Sequence, residues 1–235
     1  MAYTPERLAE ALRKAHGDDL RAVILYGSGA AGDRHPRYSD LNVLVVLRET
    51  GAGALAVAGP ALRKWERAGN PAPLFMTPEF LARSADAFPL EWLDMKEQRR
   101  VLAGEDVLAP LAVDPRHLRI ELERELKGAL LRLRGAYAAA AGDARRTREL
   151  LIRSSSTFLV LFRGALRRLG AAALPPKADA ARALGSRLGV DVEAFEYVRR
   201  LKARERPARR EPVGPWAERY LATVDRVVER IDAET

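Results

Sequence analysis

The spacing of apolar residues changes along the chain and divides it into two parts. In the first part, short apolar runs such as AVILYG (22–27) and LNVLVVL (41–47) have the length and β-branched content of strands. Stretches with helical periodicity separate these runs. From about residue 114, apolar positions recur only at three- and four-residue spacing. The pattern therefore predicts two domains, residues 1–110 with strands and helices and residues 111–235 with helices alone.

Helix-start signals and two shorter runs complete the prediction for the first part. Thr4 is a typical N-cap and Pro5 suits a first helical turn, and a Thr-Pro pair recurs at Thr77. PLFM (73–76) is predicted to be a short strand, and PLEWLDMK (89–96) a further one. Strands that alternate with helices indicate a small mixed sheet flanked by helices, an α/β fold.

Two long stripes of apolar residues predict an antiparallel helical bundle in the second part. The stripes consist of Leu118, Leu122, Leu126, Leu130, Leu133 and Tyr137, and of Leu151, Ser154, Phe158, Phe162, Ala165 and Leu169. Three further helices are predicted beyond residue 174. Between the last two of them, ERPARREPVG (205–214) is predicted to be a polar loop broken by proline.

The charge is distributed unevenly between the two parts. Residues 1–110 hold 14 Lys and Arg against 15 Asp and Glu, whereas residues 111–235 hold 26 against 17, for a net charge of +8. A basic half of this kind is typical of a nucleic-acid partner or of Arg-rich solvated helix faces. We favour the solvated faces, because few aromatic residues lie between the arginines and no RNA-binding signature is present.

The residue types and segments that the chain lacks narrow the class of protein further. The absence of Cys excludes disulfides and thiolate zinc sites, and the three His are too far apart to suggest a metal cluster. No apolar run approaches the roughly 18 residues that span a bilayer. The N-terminal residues carry acids and a helical pattern instead of a signal-peptide core. These observations predict a soluble cytoplasmic protein without a membrane partner.

Candidate chemistry is concentrated between residues 25 and 47, in LYGSGAAGDRHPRYSDLNVLVVL. Gly27 and Ser28 follow a strand directly, so the N–H groups of this turn are expected to point outward and hold phosphate oxygens, with the Ser28 hydroxyl as a further donor. Asp40 and Asn42 are two residues apart at the start of the next strand, and their side chains therefore share a face. Two oxygen ligands beside a phosphate-binding turn predict a Mg²⁺ site that works with substrate phosphates.

This stretch resembles the signature of the polymerase-beta-like nucleotidyltransferase superfamily, which consists of an apolar strand, Gly-Ser, a spacer of about ten residues and Asp-x-Asp on the next strand. The chain matches each feature except at Asn42. Aminoglycoside adenylyltransferases add an acid in a Leu-Glu-Val-like context and, shortly after it, a Gly-Glu pair. PLEWLDMKEQRRVLAGEDVL places Glu91 and the pair Gly104-Glu105 in the corresponding positions.

The resemblance implies transfer of a nucleotidyl group from a nucleoside triphosphate, such as ATP, to a hydroxyl acceptor, with release of pyrophosphate and with Mg²⁺ or Mn²⁺ as cofactor. Gly27 and Ser28 would hold the triphosphate, and Asp40 would ligate the metal. Glu91 would be a third ligand or the general base, with Asp94 as the alternative for that role.

The spacer between the Gly-Ser turn and Asp40 contains two basic residues, Arg34 and Arg37. Arg34 and Arg37 would neutralise phosphate charge, or they are ordinary surface arginines. The ligand groove is expected between the sheet face that carries Asp40 and the helical bundle. The sequence does not specify the acceptor.

Asn42 stands where the superfamily signature has a second metal-binding Asp. An Asn keeps one carbonyl oxygen as a ligand but carries no charge, so a second metal would be held more weakly. Two hypotheses follow. One is a metal-dependent nucleotidyltransferase, and the other is a catalytically impaired protein that binds a nucleotide or a protein partner through an intact fold.

Overall fold

The computed structural model describes residues 3–30 and 41–233, apart from the side chain of Ser28. The chain divides into two compact units, Met1–His117 and Leu118–Thr235. We call them the sheet unit and the helical unit. The domain ranges 1–110 and 111–235 stay predictions.

In the part of the chain that the structure describes, four strands form a mixed sheet in the order β3-β2-β1-β4. They are β1 (Leu20–Tyr26), β2 (Asn42–Leu47), β3 (Leu74–Met76) and β4 (Arg99–Gly104). Strand β1 is antiparallel to both β2 and β4, whereas β2 is parallel to β3. The predicted mixed sheet is confirmed, as are the strands expected at AVILYG, LNVLVVL and PLFM.

Among the described residues of the sheet unit, five helices flank this sheet: α1 (Pro5–His16), α2 (Ala52–Val57), α3 (Gly59–Arg67), α4 (Pro78–Arg83) and α5 (Pro89–Glu97). Both Thr-Pro starts are confirmed. The Thr4 hydroxyl accepts a hydrogen bond from the Arg7 N–H at 3.4 Å, and the Thr77 hydroxyl accepts one from the Phe80 N–H at 3.1 Å. Each threonine therefore satisfies a backbone donor that the first helical turn leaves unpaired.

The strand predicted at PLEWLDMK is wrong, because these residues form α5. Pro89 stands in the first helical turn, where its fixed φ and missing N–H cost nothing. The two-residue spacing of Leu90 and Trp92 imitates a strand, but the helix also buries Met95, three residues further on. The indole N–H of Trp92 donates to the carbonyl oxygen of Ser84 at 3.1 Å and fixes the start of this helix. The adjacent strand is β4, which follows α5.

The two faces of the sheet pack against different helices. One face buries Val23, Leu25, Val43, Val45 and Leu47 together with Leu8, Leu12 and Trp65 from α1 and α3. The other buries Ala22, Ile24, Leu44, Val46 and Met76 together with Leu81, Trp92 and Met95 from α4 and α5. Because side chains alternate along a strand, Asn42 projects on the same face as Leu44.

The helical unit contains the later helices of the chain, including most of α6. They are α6 (Pro115–Ala140), α7 (Ala144–Arg168), α8 (Ala180–Leu188), α9 (Glu193–Lys202), α10 (Arg206–Arg210) and α11 (Val213–Ala233). The predicted leucine and aromatic stripes supply the core, where Phe158 and Phe195 each contact the buried ring of Tyr220.

The expectation of helices alone in this part is confirmed for the described residues, since their last strand ends at Gly104. The loop predicted at 205–214 is wrong in part, because α10 forms within it around the fully buried Ala208. Among the described helices, none has a stretch long and apolar enough to cross a membrane.

Candidate functional site

The Gly-Ser turn lies directly after β1, as one 3-10 turn from Gly27 to Gly29. Gly27 has a φ of 74°, which falls in the left-handed region that side chains disfavour. A Cβ at this position would lie 3.7 Å from Nδ2 of Asn42, an ordinary contact distance. The backbone conformation of the turn therefore requires glycine, and Asn42 is its neighbour across the strand end.

The N–H of Gly27 is used within the protein. It donates to the carbonyl oxygen of Gln98 at 2.9 Å and so ties the turn to the residue that precedes β4. The expectation that this N–H points outward toward a phosphate is therefore wrong. Any backbone donor that the turn offers to a ligand has to lie beyond Gly27.

Three side chains form a line across the end of the sheet next to this turn. Tyr26, the last residue of β1, pairs with Asn42 of β2 on one side and with Arg99 of β4 on the other. Paired residues of antiparallel strands project on the same face, which here is the face covered by α4 and α5. We call Asn42, Tyr26 and Arg99 the site row. All three are half-buried.

The positive charge of the site row, which Arg99 carries, is compensated by the nearby carboxylate of Asp106. Arg99 donates from Nε and Nη2 to the carboxylate of Asp106 at 2.7 to 3.0 Å and from Nη1 to the carbonyl oxygen of Lys96. This hydrogen-bonded pairing raises the pKa of Arg99 and lowers the pKa of Asp106, so both are charged at neutral pH. Burial raises the pKa of Tyr26, which keeps its hydroxyl proton. The pair leaves Arg99 little capacity to bind a phosphate.

The predicted acids Glu91 and Asp94 lie on α5 instead of on a strand. Glu91 is exposed in the first turn of this helix, and Asp94 is half-buried. Besides β1, the strand next to β2 is β3. Its residues are Leu74, Phe75 and Met76, so β3 supplies no carboxylate. The argument that placed Glu91 on a neighbouring strand is therefore wrong, and its role as ligand or base stays a prediction.

The described residues also contain no group of three His, Cys, Asp or Glu side chains that could hold a metal ion. Asp40, Arg34 and Arg37 lie outside the described residues, as does the side chain of Ser28. Of the expected donors around the metal, Asn42 is thus placed beside the turn, and the role of Asp40 stays a prediction.

The pair Gly104-Glu105 has a structural explanation. Gly104 ends β4 with a φ of 75°, and a Cβ there would lie 1.9 Å from the carbonyl oxygen of Arg21. The N–H of Glu105 donates to that same oxygen at 3.0 Å. The glycine thus lets β4 approach β1 closely. The neighbouring acid that matters for the site row is Asp106, which sequence reasoning missed.

Tyr26 and Arg99 were also missed, because cross-strand pairing decides their position and no local motif encodes it. Tyr26 reads as the end of an apolar strand, and Arg99 as one of several basic residues between Lys96 and Arg100. The alternation of β1 would have placed Tyr26 on the face of Ile24. The register of β4 could not be inferred without a strand assignment for residues 99–104.

The fold has a known counterpart. No family model and no curated protein matches the chain. Among solved structures, it is similar to the spectinomycin adenyltransferase AAD(9) from Enterococcus faecialis, determined with ATP and spectinomycin. The similarity covers 99% of this chain and 100% of that chain with a TM-score of 0.59, at 14% sequence identity. The chain has a nucleotidyltransferase fold. The resemblance to polymerase-beta-like nucleotidyltransferases is thereby confirmed as one of fold.

Proposed function

We propose that this nucleotidyltransferase-fold protein binds a nucleoside triphosphate at the Gly27–Asn42 end of the sheet and lacks efficient nucleotidyl transfer. The observation that carries the proposal is the composition of β2 and its neighbours. An amide, Asn42, begins β2 beside the Gly-Ser turn, and β3 offers no acid next to it. A site of this composition can hold phosphates but has little negative charge for metal ions.

The triphosphate would be held by the turn and the spacer that follows it. Because the N–H of Gly27 is donated to Gln98, the proposed donors are the Ser28 hydroxyl and the N–H groups after Gly27. Arg34 and Arg37 would compensate the phosphate charge, since Arg99 is already paired with Asp106. Tyr26 keeps its proton and can donate a hydrogen bond at the same strand end.

The proposed donor set suits one Mg²⁺ that arrives with the triphosphate. Such an ion needs only one or two carboxylates besides phosphate oxygens and water. Asp40 would supply the carboxylate and Asn42 a neutral oxygen. A second metal ion, which would stabilise the attacking and leaving oxygens together, requires further carboxylates that neither Asn42 nor β3 provides. Glu91, whose side chain is exposed in the first turn of α5, would contribute only if that helix end reaches the nucleotide.

Thermal-shift titration with ATP and Mg²⁺ tests the binding. We expect the parent to gain about 2.7 kcal/mol at a hundredfold excess of nucleotide over the dissociation constant, and Asp40→Ala to lose this metal-dependent gain. The control is Asp86→Ala, which removes an exposed acid elsewhere in the sheet unit. An identical metal response in the parent and Asp40→Ala would refute a metal-bound nucleotide at this site.

Restoring the missing carboxylate tests the role of Asn42. We expect Asn42→Asp to be less stable than the parent without divalent cations, because two like charges would then share one strand face. It should gain more stability than the parent when Mg²⁺ and ATP are added. A smaller gain than in the parent would show that residue 42 does not face the metal.

The second candidate is transfer to a hydroxyl acceptor, which the shared fold with an adenyltransferase solved with ATP and spectinomycin favours. Pyrophosphate release from ATP, measured with and without spectinomycin or another hydroxyl-rich acceptor, distinguishes the candidates. We expect no release above the Asp40→Ala background from the parent. Acceptor-dependent release by the parent would overturn the first proposal and establish the second.

A further inference from the structure

Four arginines between residues 204 and 210 of the helical unit have no side-chain partner among the residues that the structure describes. Arg204, Arg206, Arg209 and Arg210 are all exposed, and none makes an ion pair or a side-chain hydrogen bond with another residue that the structure describes. We call these four residues the arginine corner. Most nearby basic residues differ, since Arg199 pairs with Glu196 and Arg200 with Glu211.

The acids around the arginine corner do not balance its charge. Residues 202–210 contain five Lys or Arg and a single acid, Glu205. Exposed like charges this close together repel one another and attract an anionic partner. Arg204 even occupies a left-handed backbone position, with a φ of 59°, where glycine would be the less strained residue.

The corner is held in place by one buried residue and by half-buried hydrogen bonds. Ala208 of α10, between these arginines in the sequence, is fully buried. Glu211, immediately after α10, accepts hydrogen bonds from Arg200 at 3.2 Å and from the indole N–H of Trp216 at 2.8 Å. Its carbonyl oxygen accepts a further one from Arg148 at 3.1 Å. The loop next to the corner is therefore fixed to α7, α9 and α11.

A pocket opens beside this anchored loop. It has a volume of about 280 Å³ and is lined by Glu211, Pro212, Pro215, Trp216 and Arg219. The Trp216 ring stacks on Tyr197 at a centroid distance of 4.7 Å and an interplanar angle of 6°, and the Arg219 guanidinium lies 5.3 Å from its centroid. Because Tyr197 and Arg219 cover the two faces of the Trp216 ring, a flat ring system that enters this small, proline-lined pocket would stack on the Arg219 guanidinium.

We propose that this corner binds single-stranded nucleic acid, with phosphates on the arginine corner and one base in the Trp216 pocket. A positive track beside a stacking surface, here the Arg219 guanidinium supported by Trp216, is an arrangement by which proteins bind single strands without sequence readout. A peptide made only of acidic residues would use the arginines but has no flat ring for the pocket. A membrane surface would require large apolar residues, whereas the exposed residues of α10 are three arginines and Pro207. The proposal goes beyond the function proposed above and is independent of the sheet unit.

The central test is the salt dependence of binding of the full chain to a labelled 12-nucleotide oligo(U) RNA and to the same length of oligo(dT), followed by fluorescence anisotropy. Four phosphate contacts on a single strand predict a slope of log affinity against log salt of roughly −3. Replacing all four corner arginines by Gln should bring this slope close to zero and weaken binding at least about tenfold at low salt. The two probes tell RNA from DNA, and tight binding of either one supports the proposal.

A matched control removes the same charge from the sheet unit. Arg63, Lys64, Arg67 and Arg83 are likewise exposed and have no ion pair among the described residues. Replacing these four by Gln should leave the affinity within about twofold of the parent at fixed salt. An equal loss in both quadruple variants would mean that net charge alone attracts the probe, and it would overturn the site.

Two single variants distinguish the base pocket from the phosphate track. Trp216→Leu should weaken binding about fivefold or more while leaving the salt slope unchanged, because stacking involves no counterion release. Arg204→Gly should reduce the magnitude of the slope by about 0.7, and it should not lower the melting temperature, since glycine suits a positive φ.

Competitors complete the test. Polyglutamate and anionic lipid vesicles should displace the RNA poorly at equal charge concentration. Equal displacement by polyglutamate, together with parent-like affinity of Trp216→Leu, would identify the corner as a surface for acidic polypeptides and overturn the proposal. Tight vesicle binding that excludes RNA would overturn it as well.

Discussion

Arginine side chains are ion-paired at the end of the sheet but not, among the described residues, at the arginine corner. At the sheet end, Arg99 is paired with Asp106 and Arg100 with Glu6, so neither is left with an uncompensated charge. At the corner, four arginines are exposed and unpaired among the described residues. Arginine at the sheet end thus stabilises the fold, whereas arginine at the corner is available to a partner. Substitutions at the first place should change stability, and those at the second should change binding.

The largest expected effect is at the backbone contact that closes the sheet end. Gly104→Ala would place a Cβ 1.9 Å from the carbonyl oxygen of Arg21, so β4 would have to move away from β1. We expect a loss of about 3 kcal/mol or more in the free energy of unfolding, measured by urea denaturation.

The matched control for this prediction is Gly69→Ala. Gly69 also has a positive φ, of 86°, but no atom lies within 4 Å of its Cβ position. Its loss should be about 1 kcal/mol, the cost of the backbone conformation alone. Equal losses in the two variants would show that β4 can shift without a further loss in the free energy of unfolding, and that the close approach of β4 to β1 does not require Gly104.

The next largest effect concerns the ion pair of the site row. Asp106→Asn should lower the free energy of unfolding by about 1.5 kcal/mol, because Arg99 would lose its charged partner at a half-buried position. This figure already allows for the third of the Asp106 side chain that water reaches. Glu105→Gln, at the exposed neighbour, should change stability by less than about 0.5 kcal/mol.

A smaller effect of the opposite sign is expected at the corner. Arg204 lies just after α9 with a φ of 59°, and the N–H of the next residue, Glu205, donates to the carbonyl oxygen of Arg200. Helices that end in this way usually carry glycine at that position. Arg204→Gly should therefore raise the free energy of unfolding by about 1 kcal/mol. A destabilised variant would mean that Arg204 has a structural role and would remove it from the set of arginines available for binding.

The smallest effect is a pH dependence confined to the sheet end. The hydrogen bonds from Arg99 lower the pKa of Asp106, so its contribution is complete above the unfolded value of about 3.9 and is lost as pH falls through the folded value. The difference in melting temperature between the parent and Asp106→Asn should thus be constant from pH 7 to 5 and shrink below about pH 4. A difference that stays constant down to pH 2.5 would contradict the ion-pair explanation.

Local sequence patterns were enough to predict those strands and helices whose sequence signals lie within a few residues. β1 and β2 are runs of β-branched and aliphatic residues, and α1 has both its Thr4 cap and its closing Gly17. The mixed fold could be predicted from these elements. The face on which Asn42 lies was also predictable, since it needs only the two-residue alternation of a strand.

Sequence patterns gave wrong or no predictions where tertiary contacts determine which of two structures forms. Leu90 and Trp92 have the spacing of one strand face, whereas Trp92 and Met95 have the spacing of one helix face, and the hydrogen bond from Trp92 to Ser84 accompanies the helix. The site row could not be predicted for a related reason, because the position of Arg99 depends on the register between β1 and β4. No sequence within either strand specifies that register.

The burial of the indole rings has a spectroscopic consequence. The chain has three tryptophans, of which Trp65 and Trp92 are buried in the sheet unit and Trp216 is half-buried beside Tyr197 in the helical unit. Replacing Trp216 by Phe would leave all indole emission in the sheet unit. Unfolding of the two units could then be followed separately in one sample, by indole emission for the sheet unit and by far-ultraviolet circular dichroism chiefly for the helical unit.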